Sequence, residues 1–450
     1  MPSQAFSLSL NYACPILKGV GVFLRMCALP FSACAVLFQL FLNNNNKSVV
    51  LFSQFDMITT SKRHANHRGN SMNSLNTKVH ELTKSFLNEH PLEKQPSFFS
   101  YMLYSQMPES ERTIVLSVSG GETSMMMAGL LKATLPFHNI VCIFANTGCE
   151  NDETLDFVHK CDQAFNLNVV WIEAVTNPEH GKGVTHRITS YEKAYRAHQY
   201  KHPEHPFHAH IRKNGIPNMA RPQCSDRLKE SAIEHYKKVN GFRGVPHSLG
   251  MRADEPLRVM PKSIRTILET IDVTPEEFKG MEYQARLNAY TGSFHGYMAL
   301  EDGDDKEFKK YENYCKKLRK YNLHYLLHDA WCLDKEDVQM YWEAMPFRLE
   351  LEEHQGNCQV CWKKSDKKLF LLAHESNLNF EAFAWFEKTY AHVKPQDIGN
   401  VFFRGNRSAD MIIGQSALYD TYMLQKLVKG AEAVSDGCGS SCESYNIAVA

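Results

Sequence analysis

The order of apolar and polar positions between residues 113 and 174 alternates short apolar runs with longer helical segments. Residues 114–118, 139–145 and 169–174 form apolar runs of the length and composition typical of strands covered on both faces. Residues 125–132 are strong helix formers, and residues 153–165 carry a helical apolar pattern. Strands alternating with helices predict an α/β fold with a parallel sheet and flanking helices.

The first apolar run ends at a pair of glycines, Gly120 and Gly121. Glycine permits a tight turn and close approach of the backbone, and Thr123 and Ser124 are residues that favour a helix start. The N–H groups of such a helix start converge where a phosphate can bind, and the hydroxyls of Ser119 and Ser124 can complete the site. The alternative is an ordinary turn in which the glycines serve geometry alone. Ligands of parallel α/β sheets lie at the carboxyl ends of the strands, so residues 119–121 and 146–150 share one edge.

Four motifs occur in order along the chain: Ser119-Gly-Gly-Glu-Thr-Ser124, Phe144-Ala-Asn-Thr-Gly148 with Glu150, Cys224-Ser-Asp-Arg-Leu-Lys229, and Gly250-Met-Arg-Ala-Asp-Glu-Pro-Leu-Arg258. Together they resemble the phosphoadenosine phosphosulfate (PAPS) reductase family, and most closely its phage and bacterial reductase-like proteins. This family belongs to the adenine nucleotide alpha hydrolase-like superfamily, which also contains the N-type ATP pyrophosphatases. An Asp common in those pyrophosphatases is Thr123 here, which favours the reductase branch.

The resemblance implies a set of nucleotide-binding residues. The implied phosphate-loop residues are Ser119, Gly120, Gly121, Thr123 and Ser124; the residues near the nucleotide are Asn146, Thr147, Gly148 and Glu150; and the cations are Lys229, Arg252 and Arg258. Arginine suits an anion because its guanidinium donates two parallel hydrogen bonds to phosphate or sulfate oxygens. Asp254 and Glu255 are candidates either for orienting these arginines or for holding magnesium. The implied ligand is an adenine nucleotide, either PAPS or ATP.

The chain contains 13 cysteines, among them the C-x-x-C motif formed by Cys358 and Cys361. Such a motif aims two thiolates at one metal, and the related iron–sulfur sulfonucleotide reductases make Cys224 the natural third ligand. We therefore predict an iron–sulfur cluster or a zinc ion at Cys224, Cys358 and Cys361, with Cys332, Cys438 or Cys442 as candidates for a fourth ligand. The alternative is a set of reduced free thiols. Cys149 is expected to be a small buried apolar residue.

The C-terminal tail loosely resembles the mobile Cys-Gly ending of thioredoxin-dependent PAPS reductases. This likeness, together with the motif at Cys224, makes Cys224, Cys438 and Cys442 candidate catalytic cysteines. A thiolate would attack the sulfur of the sulfonucleotide and leave an S-sulfocysteine for a thioredoxin-like reductant. A separate histidine-rich segment, residues 198–210, contains two prolines and is predicted to be a solvated loop rather than a metal site.

The composition, 450 residues with 43% hydrophobic residues and no formal net charge, predicts two or three globular units. We expect an N-terminal extension over residues 1–106, a nucleotide-binding domain over 107–262, and a mainly helical region over 263–450. Residues 26–42 are apolar enough for a signal or an anchor, but we favour a start at Met57, Met72 or Met107. The expectation is a cytoplasmic protein without a membrane partner. The neutral charge gives a nucleic-acid partner no support of its own, and the oligomeric state is left open.

Three functions fit these observations. A sulfonucleotide reductase would convert PAPS to sulfite and adenosine 3′,5′-bisphosphate. An ATP α-cleaving enzyme would adenylate a substrate, such as a nucleic acid that receives sulfur, and would need magnesium. A nucleotide-binding module would bind PAPS or ATP without converting either of them.

Overall fold

The computed structural model describes residues 68–91, 112–136, 138–260, 305–356, 358–394 and 400–432. Its centre is a six-stranded sheet with the order β4-β3-β2-β1-β5-β6. The strands are β1 (Thr113–Val118), β2 (Asn139–Asn146), β3 (Val170–Thr176), β4 (Val184–Ile188), β5 (His247–Leu249) and β6 (Leu323–His324). All neighbouring pairs are parallel except β3 and β4. The predicted α/β fold with a parallel sheet and flanking helices is confirmed.

Eleven helices of eight or more residues lie within the described part of the chain. They are α1 (Arg68–Glu89), α2 (Glu122–Thr134), α3 (Asp152–Phe165), α4 (Pro206–Asn214), α5 (Ser231–Val239), α6 (Asp305–Tyr321), α7 (Lys335–Ala344), α8 (Asp366–Glu375), α9 (Leu378–Tyr390), α10 (Ala409–Ser416) and α11 (Thr421–Glu432). Shorter helical segments are Ala197–Gln199, Pro256–Val259, Leu326–Asp329 and Glu353–Gln355, and Asp226–Glu230 forms a π-helical turn. None of the helices in the described ranges is long and apolar enough to cross a membrane.

The two faces of the sheet carry separate apolar cores because alternate residues of a strand point to opposite sides. Val115 faces one core, which contains residues of α4, α5, α6 and α8 to α11. Leu116 faces the other core, which contains residues of α1, α2, α3 and α7. The helical region after residue 304 therefore packs directly on the sheet that carries the four motifs. The chain from Ala65 onward forms one compact unit.

Several predictions fall outside the described residues. These include the tail cysteines Cys438 and Cys442, the apolar segment 26–42, and the start positions Met57 and Met107. Helix α1 lies within the segment predicted to be an extension, and its Val79 is fully buried in the core on its face of the sheet.

Candidate functional site

The turn after β1 presents a helix N-terminus at the carboxyl edge of the sheet. Gly120 has a φ of +83°, and Gly121 is the extended residue before α2, with φ −92° and ψ 159°. The first hydrogen bond into the helix runs from the Met125 N–H to the Gly121 carbonyl, at 3.2 Å. The N–H groups at the start of a helix have no intrahelical acceptor, and the helix dipole makes this end positive. The turn therefore has the geometry of an anion site.

The two serines of this turn have different environments. The Ser124 side chain is buried, and its hydroxyl accepts a hydrogen bond from the Ser119 N–H at 3.1 Å and donates one to the Gly121 carbonyl at 3.0 Å. It also lies 3.2 Å from the Ser119 hydroxyl. Ser119 and Thr123 are partly exposed. The Ser124 hydroxyl thus closes the turn, whereas Ser119 and Thr123 have surface available for a ligand.

Glu122 opens α2, a position where a carboxylate would oppose a bound anion. Its side chain is held by Arg348, whose Nε and Nη2 donate to the two carboxylate oxygens at 3.2 and 3.4 Å. Burial raises the pKa of Glu122, and the charge of Arg348 acts in the opposite direction. The Glu122 carbonyl also accepts a hydrogen bond from the indole of Trp342 at 3.0 Å. These contacts tie the carboxylate to Arg348 and partly neutralise it.

The residues after β5 place an arginine beside the turn. A Cβ on Gly250 would lie 2.8 Å from the Ser124 Cα, so the end of β5 and the turn are in close contact. The Nη1 of Arg252 is 3.4 Å from the Thr123 hydroxyl, while its Nε and Nη2 donate to Asp254 at 2.8 and 2.9 Å. Asp254 therefore orients Arg252, one of the two roles considered from the sequence.

Arg258 lies farther along the same motif, where its Nη1 donates to the buried carboxylate of Glu255. The same Glu255 accepts the Arg252 N–H at 3.1 Å. Both arginines of the motif thus have acidic partners. A magnesium role for these carboxylates gains no geometric support, because no metal-binding group of three or more His, Cys, Asp or Glu occurs among the described residues.

The loop after β2 is stabilised by its own polar side chains. The fully buried Asn146 donates to Glu173 at 2.7 Å and to the Tyr195 carbonyl at 2.9 Å, and it accepts the Gly148 N–H at 3.2 Å. Thr147 donates to the buried carboxylate of Glu150 from its N–H at 3.0 Å and from its hydroxyl at 2.8 Å. These side chains shape the loop from within. Their predicted contact with a nucleotide stays a prediction.

Two residues from other segments complete this loop. The Nζ of Lys229, on the π-helical turn, is 3.8 Å from a Glu150 carboxylate oxygen. A Cβ on Gly148, whose φ is +79°, would lie 2.4 Å from the His205 ring, so the loop packs closely on that histidine. Burial lowers the pKa of His205 to about 4. His205 is therefore a neutral packing partner of the loop near pH 7.

The histidine-rich segment is not a solvated loop as predicted. Residues 206–214 form α4, and His205, His208 and His210 are buried. His208 contacts the Tyr390 hydroxyl at 2.5 Å, and burial lowers the pKa of His210 to about 3. The prolines misled the interpretation because Pro206 occupies the first turn of the helix, where the missing N–H costs nothing. His198 and His202 are exposed, as expected of a loop.

Four cysteines line one small apolar cavity of about 30 Å³, which we call the thiol cavity: Cys149, Cys224, Cys358 and Cys361. The Gln359 N–H donates to the Cys149 carbonyl at 2.8 Å, which joins the C-x-x-C segment to the loop after β2. Cys332 is not among its lining residues. The sequence placed Cys224, Cys358 and Cys361 together but gave no reason to add Cys149.

The predicted metal site at Cys224, Cys358 and Cys361 shares this cavity with a fourth thiol, that of Cys149. No three of the described His, Cys, Asp or Glu side chains are grouped as metal ligands. Burial raises the pKa of Cys149 well above its ordinary value, and the nearby charges of Glu150 and Cys224 add to this effect. The Cys149 thiol therefore stays protonated. The Cys149 thiol thus behaves as the expected buried apolar group. The iron–sulfur or zinc site at Cys224, Cys358 and Cys361 stays a prediction from sequence.

The sheet and its flanking helices define an α/β domain whose carboxyl edge has the geometry of an anion site. Residues 113–256 match the phosphoadenosine phosphosulfate reductase domain, the family that the four motifs predicted. The uncharacterized nin region protein ORF290 of Escherichia phage lambda is 25% identical over 338 residues, which cover 74% of this chain and 94% of that protein.

This chain also aligns with a solved structure. The NH3-dependent NAD synthetase from Campylobacter jejuni subsp. jejuni NCTC 11168, in complex with the nitrate ion, aligns with 14% identity and a TM-score of 0.22. The alignment covers 61% of this chain and 93% of that one.

Proposed function

We propose that this protein is a PAPS reductase-like enzyme that binds an adenine nucleotide at residues 119–124 and carries out sulfur chemistry with cysteine thiolates. The observation that carries the proposal is the turn after β1, where a helix N-terminus lies beside Arg252, whose Nη1 is 3.4 Å from the Thr123 hydroxyl. Both features favour a phosphate or sulfate group. The family of residues 113–256 supports an adenine nucleotide as the molecule that carries this group.

For PAPS, the proposed reaction begins with attack of a cysteine thiolate on the sulfur atom. The new S–S bond forms as the bond from sulfur to the phosphate oxygen breaks, and adenosine 3′,5′-bisphosphate leaves. One thiolate of a thioredoxin-like dithiol then attacks the cysteine sulfur and releases sulfite, and the second thiol displaces the enzyme's cysteine thiolate as the dithiol becomes a disulfide. Within the described residues, Cys224 is the candidate nucleophile named by its sequence motif, and it is partly exposed on the wall of the thiol cavity. Cys438 and Cys442 remain candidates from sequence.

The second candidate function is α-cleavage of ATP, with magnesium and an acceptor such as a nucleic acid. A second cavity beside the loop after β2 favours it, because this reaction needs room for an acceptor. Pyrophosphate release from ATP would identify this reaction, whereas sulfite release from PAPS would identify the reductase. Binding of either nucleotide without turnover would identify a binding module.

Gly121→Val tests the nucleotide site itself. A Cβ at Gly121 would meet only the Ser119 hydroxyl, at 3.7 Å, so the variant can fold while its side chain occupies the proposed phosphate position. We expect calorimetric binding of PAPS and ATP to weaken at least about tenfold, through lost N–H contacts. Gly183→Val is the matched control, since a Cβ there has no atom within 4 Å. Unchanged nucleotide affinity in a folded Gly121→Val protein would refute the proposed site.

A further inference from the structure

A cavity of about 370 Å³ lies between the loop after β2 and helix α9, and we call it the aromatic pocket. Its aromatic lining residues are Tyr200, Phe207, Phe383 and Phe386. The rings of Phe207 and Phe386 are 5.6 Å apart, and those of Tyr200 and Phe386 are 5.9 Å apart. Ligand pockets of proteins start at about 300 Å³ and combine such apolar walls with a few polar groups. The aromatic pocket has the size and walls for one planar ring.

The polar groups of the aromatic pocket differ in charge from the turn after β1. Asp152 and Glu381 contribute carboxylates, and His198, Gln359 and Asn379 add hydrogen-bonding groups. Its lining contains no lysine or arginine. The Asp152 carboxylate is paired with Arg196 at 3.2 Å, so the Glu381 carboxylate carries most of the repulsion of phosphate and sulfate. The chemistry of this pocket therefore suits an uncharged or cationic ring with N–H donors.

The aromatic pocket adjoins the thiol cavity. Cys149, Phe207 and Phe383 line both this pocket and the thiol cavity. Asp152 is the first residue of α3 and directly follows the loop after β2. This loop and the turn after β1 lie at the same edge of the sheet, because β1 and β2 are parallel neighbours. A ligand in the aromatic pocket would therefore lie beside the loop that the nucleotide is proposed to use.

We propose that the aromatic pocket binds a second substrate through an uncharged planar ring of nucleobase size. This inference rests on the proposed function and adds to it an acceptor of a stated class. The same ring chemistry has another source, the adenine of the nucleotide itself. The two sources differ in one measurable respect: an acceptor binds together with the nucleotide, whereas the adenine of a bound nucleotide would exclude it.

The test uses the full-length protein and uncharged ribonucleosides as probes, measured by ligand-observed saturation-transfer NMR. We expect at least one nucleoside to bind, and its signal to persist when the protein is saturated with ATP. With the turn after β1 saturated by ATP, the corresponding nucleoside 5′-monophosphate should bind more weakly than the nucleoside, because its phosphate meets the carboxylate of Glu381. Absence of nucleoside binding, or loss of it upon ATP saturation, would overturn the proposal.

Ala382→Trp places a large ring into the aromatic pocket from α9, where Ala382 is partly buried. We expect nucleoside binding to weaken at least about tenfold, with ATP affinity unchanged. Thr389→Trp, at an exposed position of the same helix, is the matched control for helix stability. Gly121→Val should show the reverse pattern, with nucleotide binding lost and nucleoside binding kept, so failure of one proposal is separable from failure of the other. Equal nucleoside binding by the folded Ala382→Trp and Thr389→Trp variants would refute the assignment.

Discussion

Two adjacent residues, Gly120 and Gly121, have different physical reasons for lacking a side chain. Gly120 has a left-handed φ of +83°, and a Cβ there would lie 2.5 Å from a methyl carbon of Thr154 and 3.1 Å from one of Val158. Gly121 has an ordinary extended φ, and its Cβ position meets only the Ser119 hydroxyl, at 3.7 Å. Gly120 is therefore required for the fold, whereas Gly121 keeps the face of the turn open.

Gly120→Ala is expected to destabilise the protein through both backbone strain and steric overlap with α3. Gly181→Ala is the control, because Gly181 has a similar φ of +78° but no atom within 4 Å of its Cβ position. Strain alone should cost about 1 to 2 kcal/mol at Gly181, and overlap should add about 1 to 3 kcal/mol at Gly120. Urea unfolding measures both free energies. Equal losses of unfolding free energy at the two positions would show that overlap with Thr154 does not affect stability.

Arg348 is expected to support nucleotide binding without touching the nucleotide. Arg348→Ala would release Glu122 at the positive end of α2, where a free carboxylate competes with a bound anion. We expect calorimetric affinity for ATP to fall by about three- to tenfold, and Glu122→Gln in the same chain to restore it. Lys160→Ala, which breaks another exposed ion pair at 3.4 Å with Glu350, should change nothing. A loss that Glu122→Gln fails to rescue would contradict this role.

At the scale of elements, one buried carboxylate joins α9 to the segment that leads into α10. Glu387 accepts the N–H of Phe402 and the N–H of Ala409, both at 2.9 Å. Burial is the largest influence on Glu387 and raises its pKa to about 7, against the effect of these two hydrogen bonds. The Glu387 carboxyl that connects these C-terminal helices therefore changes its protonation state close to neutral pH.

The pH dependence of stability follows from this raised pKa. Between about pH 4.5 and pH 7 the folded protein holds a proton on Glu387 that the unfolded chain has released. The stability that this group contributes is complete below about pH 4.5 and is lost as the pH rises through about 7, on the order of 3 kcal/mol at most. Glu387→Gln should flatten the curve of unfolding free energy against pH, as measured by urea titration from pH 5 to 9. Parallel curves for the two proteins would contradict the raised pKa.

At the scale of the whole molecule, the sequence predicted the features that depend on a few neighbouring residues. The first three strands and the turn at Gly120 were predictable because long apolar runs and glycines act over a few residues. Strands β5, with three residues, and β6, with two, carry no such pattern, and they form because β1 and β5 offer backbone partners. The contact of Arg348 with Glu122 and the approach of Cys358 to Cys149 join residues more than 200 positions apart, which periodicity does not report. The burial of His208 in α4 was not predictable because it involves Trp385 and Tyr390 of α9, which are distant in sequence.

The packing of the C-terminal helices on the sheet predicts one cooperative unfolding unit from β1 to α11. Val115 of β1, Leu369 of α8 and Val428 of α11 belong to one core. Leu369→Ala should cost about 2 to 5 kcal/mol, and hydrogen exchange followed by mass spectrometry should show protection falling in β1 and β2 as much as in α8. Leu418→Ala, at a side chain that is 82% exposed, should leave exchange unchanged. If β1 kept its full protection in Leu369→Ala, the predicted boundary near residue 262 would separate independently stable domains. If β1 lost protection together with α8, the sheet and the helical region would unfold as one unit. No fragment ending near residue 262 would then be expected to fold alone.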